Sequence, residues 1–61
     1  MLEQYDDILT IEELAEIMKI GSTQAYKAVR SGEIKAFKEG KDWKIPKIAV
    51  ISYIKEKINS H

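Results

Sequence analysis

A chain of 61 residues supports one small domain, close to the lower size limit at which a single hydrophobic core holds a fold without help. It has no cysteine, which excludes disulfides and thiolate metal sites, and its formal net charge is zero. No apolar run approaches the roughly 18 residues of a membrane span, and the opening MLEQYDD lacks the basic-then-apolar order of a signal peptide. These features favour a cytoplasmic domain without a cofactor, and they leave little chain for a deep substrate pocket.

The zero net charge hides two electrostatic halves. Residues 1–17 hold six acidic and no basic side chains, whereas residues 18–61 hold ten basic and four acidic ones. The halves therefore carry charges of −6 and +6, and the second half presents a surface that phosphates can find. Two solvated faces that simply attract one another would leave the same pattern.

The segment LTIEELAEIMKIG begins with a helix start signal. Thr10 and Glu13 have the spacing of a capping box, and Leu9 with Leu14 has the spacing of a hydrophobic staple. Apolar residues then recur at helical spacing, which predicts a first helix from Ile11 to Met18.

A three-residue break precedes a second predicted helix over residues 22–31, which Gly32 ends in the left-handed conformation. Its apolar strip consists of Ala25, Ala28 and Val29, and the small alanines permit close approach of another helix. The opposite face is polar and basic and consists of Ser22, Thr23, Tyr26, Lys27 and Arg30. Two short helices joined in this way have the geometry of a helix-turn-helix, whose second helix enters the major groove of DNA.

The stretch FKEGKDWKIPK, residues 37–47, predicts a β-hairpin. The triplets AFK and WKI are β-formers, and they flank a four-residue turn over residues 39–42 that contains a glycine. Alternation along the strands assigns three aromatic or apolar side chains to the core, namely Phe37, Trp43 and Ile45. The same alternation leaves Lys38, Asp42 and Lys44 on the other face.

A third helix is predicted from Lys47 to Ile58, started by Pro46 and burying Val50, Tyr53 and Ile54. Three isoleucines extend its apolar surface beyond that core strip, namely Ile48, Ile51 and Ile58. An exposed isoleucine stripe indicates a protein partner. The N-terminal tail, through Leu2, Tyr5 and Ile8, is the alternative cover for this stripe, and the sequence leaves both alternatives open.

The order helix, turn, helix, hairpin, helix is that of a winged helix-turn-helix, an α+β fold. The stretches LTIEELAEIM, AYKAVRSGEIKAFK and GKDWKIPK resemble the excisionase family of small winged helix-turn-helix proteins, relatives of the DNA-binding half of MerR-type regulators. The likeness runs from Leu9 to about Lys55, and RSGEI followed by a hairpin and WKIP is its most specific part. We expect one such domain over residues 1–61, with residues 1–8 as an acidic N-terminal extension.

The resemblance implies binding of double-stranded DNA without catalysis, cofactor, membrane or small-molecule substrate. It places helix 22–31 in the major groove and wing 36–45 on the backbone or an adjacent minor groove. The matching DNA contacts are Ser22, Thr23, Tyr26, Lys27, Arg30, Lys38, Lys41 and Lys44. The implied role is an excisionase-like accessory factor acting with a recombinase or integrase, or with further copies of itself, or else a small transcriptional regulator.

Three departures from the family pattern qualify this reading. Asp42 stands where a basic residue is usual, so it either repels phosphates or pairs with Lys44. Lysine replaces arginine at positions 27, 38 and 44, which shifts the expected contacts from reading guanine toward positioning on the backbone. Ile48 and Ile51 occupy positions that are usually charged, which supports a rival function as a protein-interaction module.

No catalytic or metal site is predicted. Ser22 and His61 are the one conceivable nucleophile and base, and nothing holds the histidine in place at the last position. Each wing lysine has the simpler interpretation of a solvated surface charge, and Tyr26 that of partial core packing.

Overall fold

The computed structural model describes residues 2–59. Its elements are β1 (Ile8–Leu9), α1 (Ile11–Met18), α2 (Ser22–Arg30), β2 (Phe37–Glu39), β3 (Asp42–Pro46) and α3 (Lys47–Asn59). The strands form an antiparallel sheet in the order β1-β3-β2. This architecture confirms the predicted α+β winged helix-turn-helix. Within residues 2–59, the structure contains no helix with the length and apolar character needed to cross a bilayer.

Helix α1 begins with the predicted capping box. The backbone N–H of Glu13 donates to Thr10 Oγ1 over 3.1 Å, and the backbone N–H of Thr10 donates to Glu13 Oε1 over 3.0 Å. The two bonds satisfy donors that the helix start would otherwise leave without partners. Leu9 and Leu14 are completely buried in one cluster, as a hydrophobic staple requires.

The end of α1 is a Schellman motif built on a lysine. Lys19 has φ 57° and ψ 48°, which is the left-handed conformation. Its N–H donates to the carbonyl of Glu16 over 3.3 Å, and the N–H of Ile20 donates to that of Ala15 over 3.0 Å. Glycine is the usual residue here, so the sequence predicted the break between the helices but not its conformation.

The core contains residues from all three helices, from β1 and β3, and from the loop before β2. Its buried members are Leu9, Leu14, Ala15, Ala25, Val29, Ile34, Ile45 and Val50. Helix α2 ends at Arg30, one residue earlier than predicted, and Gly32 follows with φ 88°. Helix α3 ends at Asn59, one residue later than predicted. Val50 is buried as predicted, whereas Tyr53 and Ile54 are half-buried and pack against the core cluster.

The hairpin turn is shorter than predicted. Glu39 pairs with Asp42 across the strands, so the turn consists of Gly40 and Lys41 alone. Gly40 has φ 64°, whereas Lys41 has no positive φ. A positive φ at only the first turn residue is the pattern of a type II′ hairpin, which suits the twist of the two strands.

The predicted faces of the hairpin are wrong for two residues. Phe37 lies opposite Lys44, and Lys38 lies opposite Trp43. Cross-strand partners project from the same face of a sheet, so Phe37 shares the outer face with Lys44, where it is 48% exposed. Lys38 therefore lies on the Trp43 side. Alternation along each strand is as predicted, but one strand alone does not specify the register that decides which side chains share a face.

A short strand joins the N-terminal region to the hairpin, and the sequence did not predict it. Ile8 pairs with Pro46, and Leu9 pairs with Ile45. Two residues are too few to show a period, so no pattern in the sequence marks this strand. It makes β3 the central strand of the sheet.

Lys47 ties residues 2–7 to the start of α3. Its backbone N–H donates to the carbonyl of Asp7 over 2.7 Å. Its ammonium group, on a side chain that is 20% exposed, donates to the carbonyls of Leu2 and Tyr5 over 3.2 Å each. Lys47 thus contacts residues 2–7 through both its backbone and its side chain.

Tyr5 gives the segment a second attachment, to α1. Its hydroxyl donates to Glu16 Oε1 over 2.8 Å. This hydrogen bond to the carboxylate raises the pKa of Tyr5, because it favours the neutral phenol, and desolvation acts in the same direction.

Candidate nucleic-acid interface

One surface cleft lies between the helix-turn-helix and the wing, and we refer to it as the wing cleft. Its first wall is the start of α1, with Thr10, Ile11 and Glu12. The second wall is α2, with Ser22, Thr23 and Tyr26, and the third is residues 41–44 of the wing. Helix α2 and the wing therefore share a continuous concave surface.

The candidate residues of α2 form two neighbouring rows. Ser22 and Tyr26 are four residues apart and line the wing cleft. Thr23, Lys27 and Arg30 follow a parallel row at helical spacing, and all three are exposed. Ala25 and Val29 are buried on the opposite side. The helix thus docks through small residues and exposes its cations, as the sequence predicted.

The three wing lysines have different environments. Lys41 is exposed in the turn and lines the wing cleft, and Lys44 lines it while half-buried. Lys38 does not line the cleft. Its ammonium lies 5.9 Å from the ring centroid of Trp43, a cation–π distance. The structure therefore brings Lys41 and Lys44 together with Ser22, Thr23 and Tyr26, and leaves Lys27, Arg30 and Lys38 outside the cleft.

Charges of both signs line the wing cleft. Two bases, Lys41 and Lys44, face two acids, Glu12 and Asp42. Within residues 2–59, Asp42 forms no ion pair with Lys44, which does not support the idea that Asp42 holds this lysine in position. The charges that line the cleft therefore cancel. The excess positive charge next to the cleft comes from Lys27 and Arg30 on α2.

Trp43 and the start of α1 are parts of the cleft that the sequence did not predict. The sequence predicts a core position for Trp43, and this residue packs against the core cluster while half-buried. It also lines the cleft, and its buried indole Nε1 has no hydrogen-bond partner among residues 2–59. An indole N–H normally finds a partner when it is buried, so this donor distinguishes Trp43 from an ordinary core residue.

The predicted isoleucine stripe is only partly exposed. Ile48 is 73% exposed and Ile58 is 64% exposed, whereas Ile51 is half-buried. Leu2 and Tyr5 pack against the core cluster, and Ile8 belongs to β1. The N-terminal segment thus leaves Ile48 and Ile58 uncovered.

The last two candidates from the sequence are Ser22 and His61. His61 lies outside the described residues, and Ser22 lines the wing cleft. Residues 2–59 contain no group of three or more histidine, cysteine, aspartate or glutamate side chains arranged to hold a metal ion.

Two helices joined by a three-residue break, with a hairpin beside the second helix, define a winged helix-turn-helix, a class of DNA-binding domain. The family model described as a helix-turn-helix domain matches residues 8–58, and the chain belongs to this family. Membership supports binding to double-stranded DNA, and the family is typically non-enzymatic. No curated protein and no solved structure shows significant similarity to the chain.

Proposed function

We propose that the protein binds double-stranded DNA with α2 in the major groove and the hairpin wing on the backbone or an adjacent minor groove. The observation that supports this proposal best is the wing cleft, because it joins the α2 face and the wing in one surface. A duplex held there would contact both elements at once, as winged domains require.

The side chains of α2 suit a helix that approaches DNA closely. Ser22 and Thr23 are short and carry hydroxyl groups that can bond to phosphates or base edges. Lys27 and Arg30 are long cations on the exposed row, and they can neutralise phosphates. Arg30 is also the one side chain of this set able to bond guanine through two parallel donors.

The biological role that we propose is either an excisionase-like accessory factor or a small transcriptional regulator. A domain of this size reads few base pairs, so it requires further copies or a second protein on the DNA for selectivity. A recombinase or integrase is the partner that the first role implies. The chemistry of the DNA surface is the same in both roles.

The direct test is a titration of the protein with short duplex DNA at low salt, followed by amide NMR. We expect shifts concentrated in residues 22–30 and 38–44, with little change in α3. An absence of shifts in both segments would exclude the proposed interface.

A matched set of charge deletions tests whether α2 makes specific contacts with DNA or only contributes to a general electrostatic attraction. Lys27→Ala and Arg30→Ala should each weaken binding more than Lys55→Ala, which removes the same charge from an exposed position on α3. Dissociation constants at two salt concentrations measure the difference. Equal losses from all three variants would indicate diffuse electrostatic association.

The second candidate function is a protein-interaction module that keeps the winged fold. The observation that favours it is Ile48, whose side chain is 73% exposed on α3. In this case Ile48→Ser would abolish the cellular activity, whereas Arg30→Ala would leave it intact. The reverse result would favour the DNA-binding role.

A further inference from the structure

An apolar groove runs along α3, and we refer to it as the α3 groove. Pro46, Ala49 and Tyr53 form its apolar lining, and Ile48 projects at its side. None of these residues lines the wing cleft, so the groove is a separate surface. Tyr53 makes two side-chain contacts at the groove: its hydroxyl donates to Glu33 Oε2 over 3.4 Å, and the ammonium of Lys57 lies 5.4 Å from its ring centroid.

We propose that the α3 groove binds a second copy of this chain, with the two α3 helices antiparallel and related by a two-fold axis near Ser52. Each Ile48 would then pack into the groove of the other copy. An interface of this kind must be self-complementary, because the same residues serve on both sides.

The charges around the groove meet that requirement. Lys35 borders it, and the hairpin register, if continued two positions before β2, would place residue 35 opposite Pro46. Glu33 borders it as well and accepts the hydrogen bond from the Tyr53 hydroxyl. Glu56 borders it about 12 Å beyond Ile48 along the helix axis. In an antiparallel arrangement, Lys35 of each copy lies near Glu56 of the other copy. The Lys35–Glu56 pair therefore occurs twice in the dimer.

A second copy fits this charge pattern better than a peptide of uniform sign, which would meet a like charge at Lys35 if it were basic and at Glu33 and Glu56 if it were acidic. Within residues 2–59, neither Lys35 nor Glu56 takes part in an ion pair, so both can pair between copies. The chain also has zero net charge, so no overall repulsion opposes self-association.

The residue at the proposed axis permits close helix approach. Ser52 is exposed, borders the groove and has a small side chain, and Ala49 lies one turn before it. Small residues allow two helices to come near enough for side chains on either side to interdigitate. Ile48 and Tyr53 would supply the apolar contacts around this point.

Disulfide trapping tests the geometry on the free protein, without DNA, so the result is independent of the proposed DNA binding. The chain has no cysteine, so Ser52→Cys introduces a unique thiol at the axis. Two such thiols would lie within disulfide reach, and mild oxidation should give a covalent dimer in high yield. Ser31→Cys, an equally small change at an exposed position outside the groove, is the matched control and should remain mostly monomeric.

Charge reversal in the Ser52→Cys background identifies the partner surface. Lys35→Glu and Glu56→Lys should each lower the dimer yield several-fold, and the double variant, which restores the net charge, should recover it. Ile48→Ser should lower the yield without changing the circular dichroism spectrum. Equal trapping of the Ser52→Cys and Ser31→Cys proteins, trapping of neither, or no recovery in the double variant would each overturn the proposal.

Discussion

Lys38 and Trp43 show how one contact changes the assignment of a wing residue. The ammonium of Lys38 lies 5.9 Å from the Trp43 ring centroid, and such contacts contribute about 0.5–1 kcal/mol at exposed sites. Lys38 therefore has a partner in the free protein, whereas Lys41 is in the exposed turn. We therefore expect Lys41 to bind phosphate at a lower cost in free energy than Lys38, because Lys38 must give up its contact with the Trp43 ring.

Asp42 is the acidic residue of the wing cleft whose replacement should change DNA binding most. Asp42→Lys removes a repulsive carboxylate and adds a cation, so binding should tighten and the slope of log K against log salt should steepen by about 0.9 for one added phosphate contact. Affinities measured over a range of salt concentrations give this slope.

The matched control for Asp42→Lys is Glu39→Lys. Glu39 pairs with Asp42 across the hairpin but does not line the wing cleft. Because the change in charge is the same, a smaller steepening from Glu39→Lys would locate the effect in the cleft. Identical slopes of log K against log salt for the two variants would indicate that DNA contacts the wing outside the wing cleft.

Phe37 and Ile45 lie on different faces of the hairpin, and their truncation should show it. Phe37→Ala should lower the free energy of unfolding by less than about 1 kcal/mol, because the ring is already 48% exposed. Ile45→Ala should cost about 2–5 kcal/mol, because this side chain is completely buried. Urea denaturation measures both changes in the free energy of unfolding. Comparable losses for the two variants would show that Phe37 is a core residue.

The elements of the fold differ in how completely their sequences specify them. The start of α1 was predicted residue by residue, because capping is a local interaction between Thr10 and Glu13. The buried side of α2 was predicted too, because its period spans the whole helix. The face of Phe37 depends on which residue lies across the hairpin, and one strand alone does not contain that information.

The candidate site also combines features that local sequence predicts with features that depend on contacts between distant segments. The α2 residues were predicted from a face pattern, and the structure exposes all five of them. The contribution of Thr10 and Glu12 to the wing cleft was not predicted, because it arises from the packing of α1 beside the wing. Short strand β1 escaped prediction for the same reason, since the residues that pair with it lie 36 and 38 positions further along the chain.

The turn between α1 and α2 contains a conformational strain that a single substitution should relieve. A left-handed residue other than glycine costs roughly 1–2 kcal/mol, and glycine loses about 0.5–1 kcal/mol more backbone freedom on folding. Lys19→Gly should therefore stabilise the domain by about 0.5–1 kcal/mol, measured by urea denaturation.

Lys19→Ala separates conformation from charge in that experiment. Alanine removes the ammonium but has the same difficulty with a φ of 57°, so its stability should remain near that of the wild type. If Lys19→Ala stabilised as much as Lys19→Gly, the effect would come from the lost charge and not from the backbone.

At the scale of the whole molecule, the Tyr5–Glu16 bond makes stability depend on alkaline pH. The pKa of Tyr5 is raised in the folded protein, mainly by its hydrogen bond to Glu16. The bond's contribution is therefore fully present below the unfolded pKa, about 10, and it is lost as the pH rises through the folded pKa. Tyr5→Phe should remove this loss, as measured by urea denaturation between neutral and strongly alkaline pH.

The acid partner provides the check on that prediction. Glu16→Gln should reduce the same alkaline dependence, and combining it with Tyr5→Phe should add nothing further, because both changes remove one interaction. Fully additive effects would mean that the two residues influence stability separately.

The position of Trp43 has a practical consequence. It is the single tryptophan of the chain, and it forms part of the wing cleft beneath the ammonium of Lys38. Its fluorescence therefore reports from one place only, at the surface where we propose that DNA binds. Emission changes on adding duplex would follow wing engagement without any label, while emission insensitive to DNA would indicate that the wing remains free.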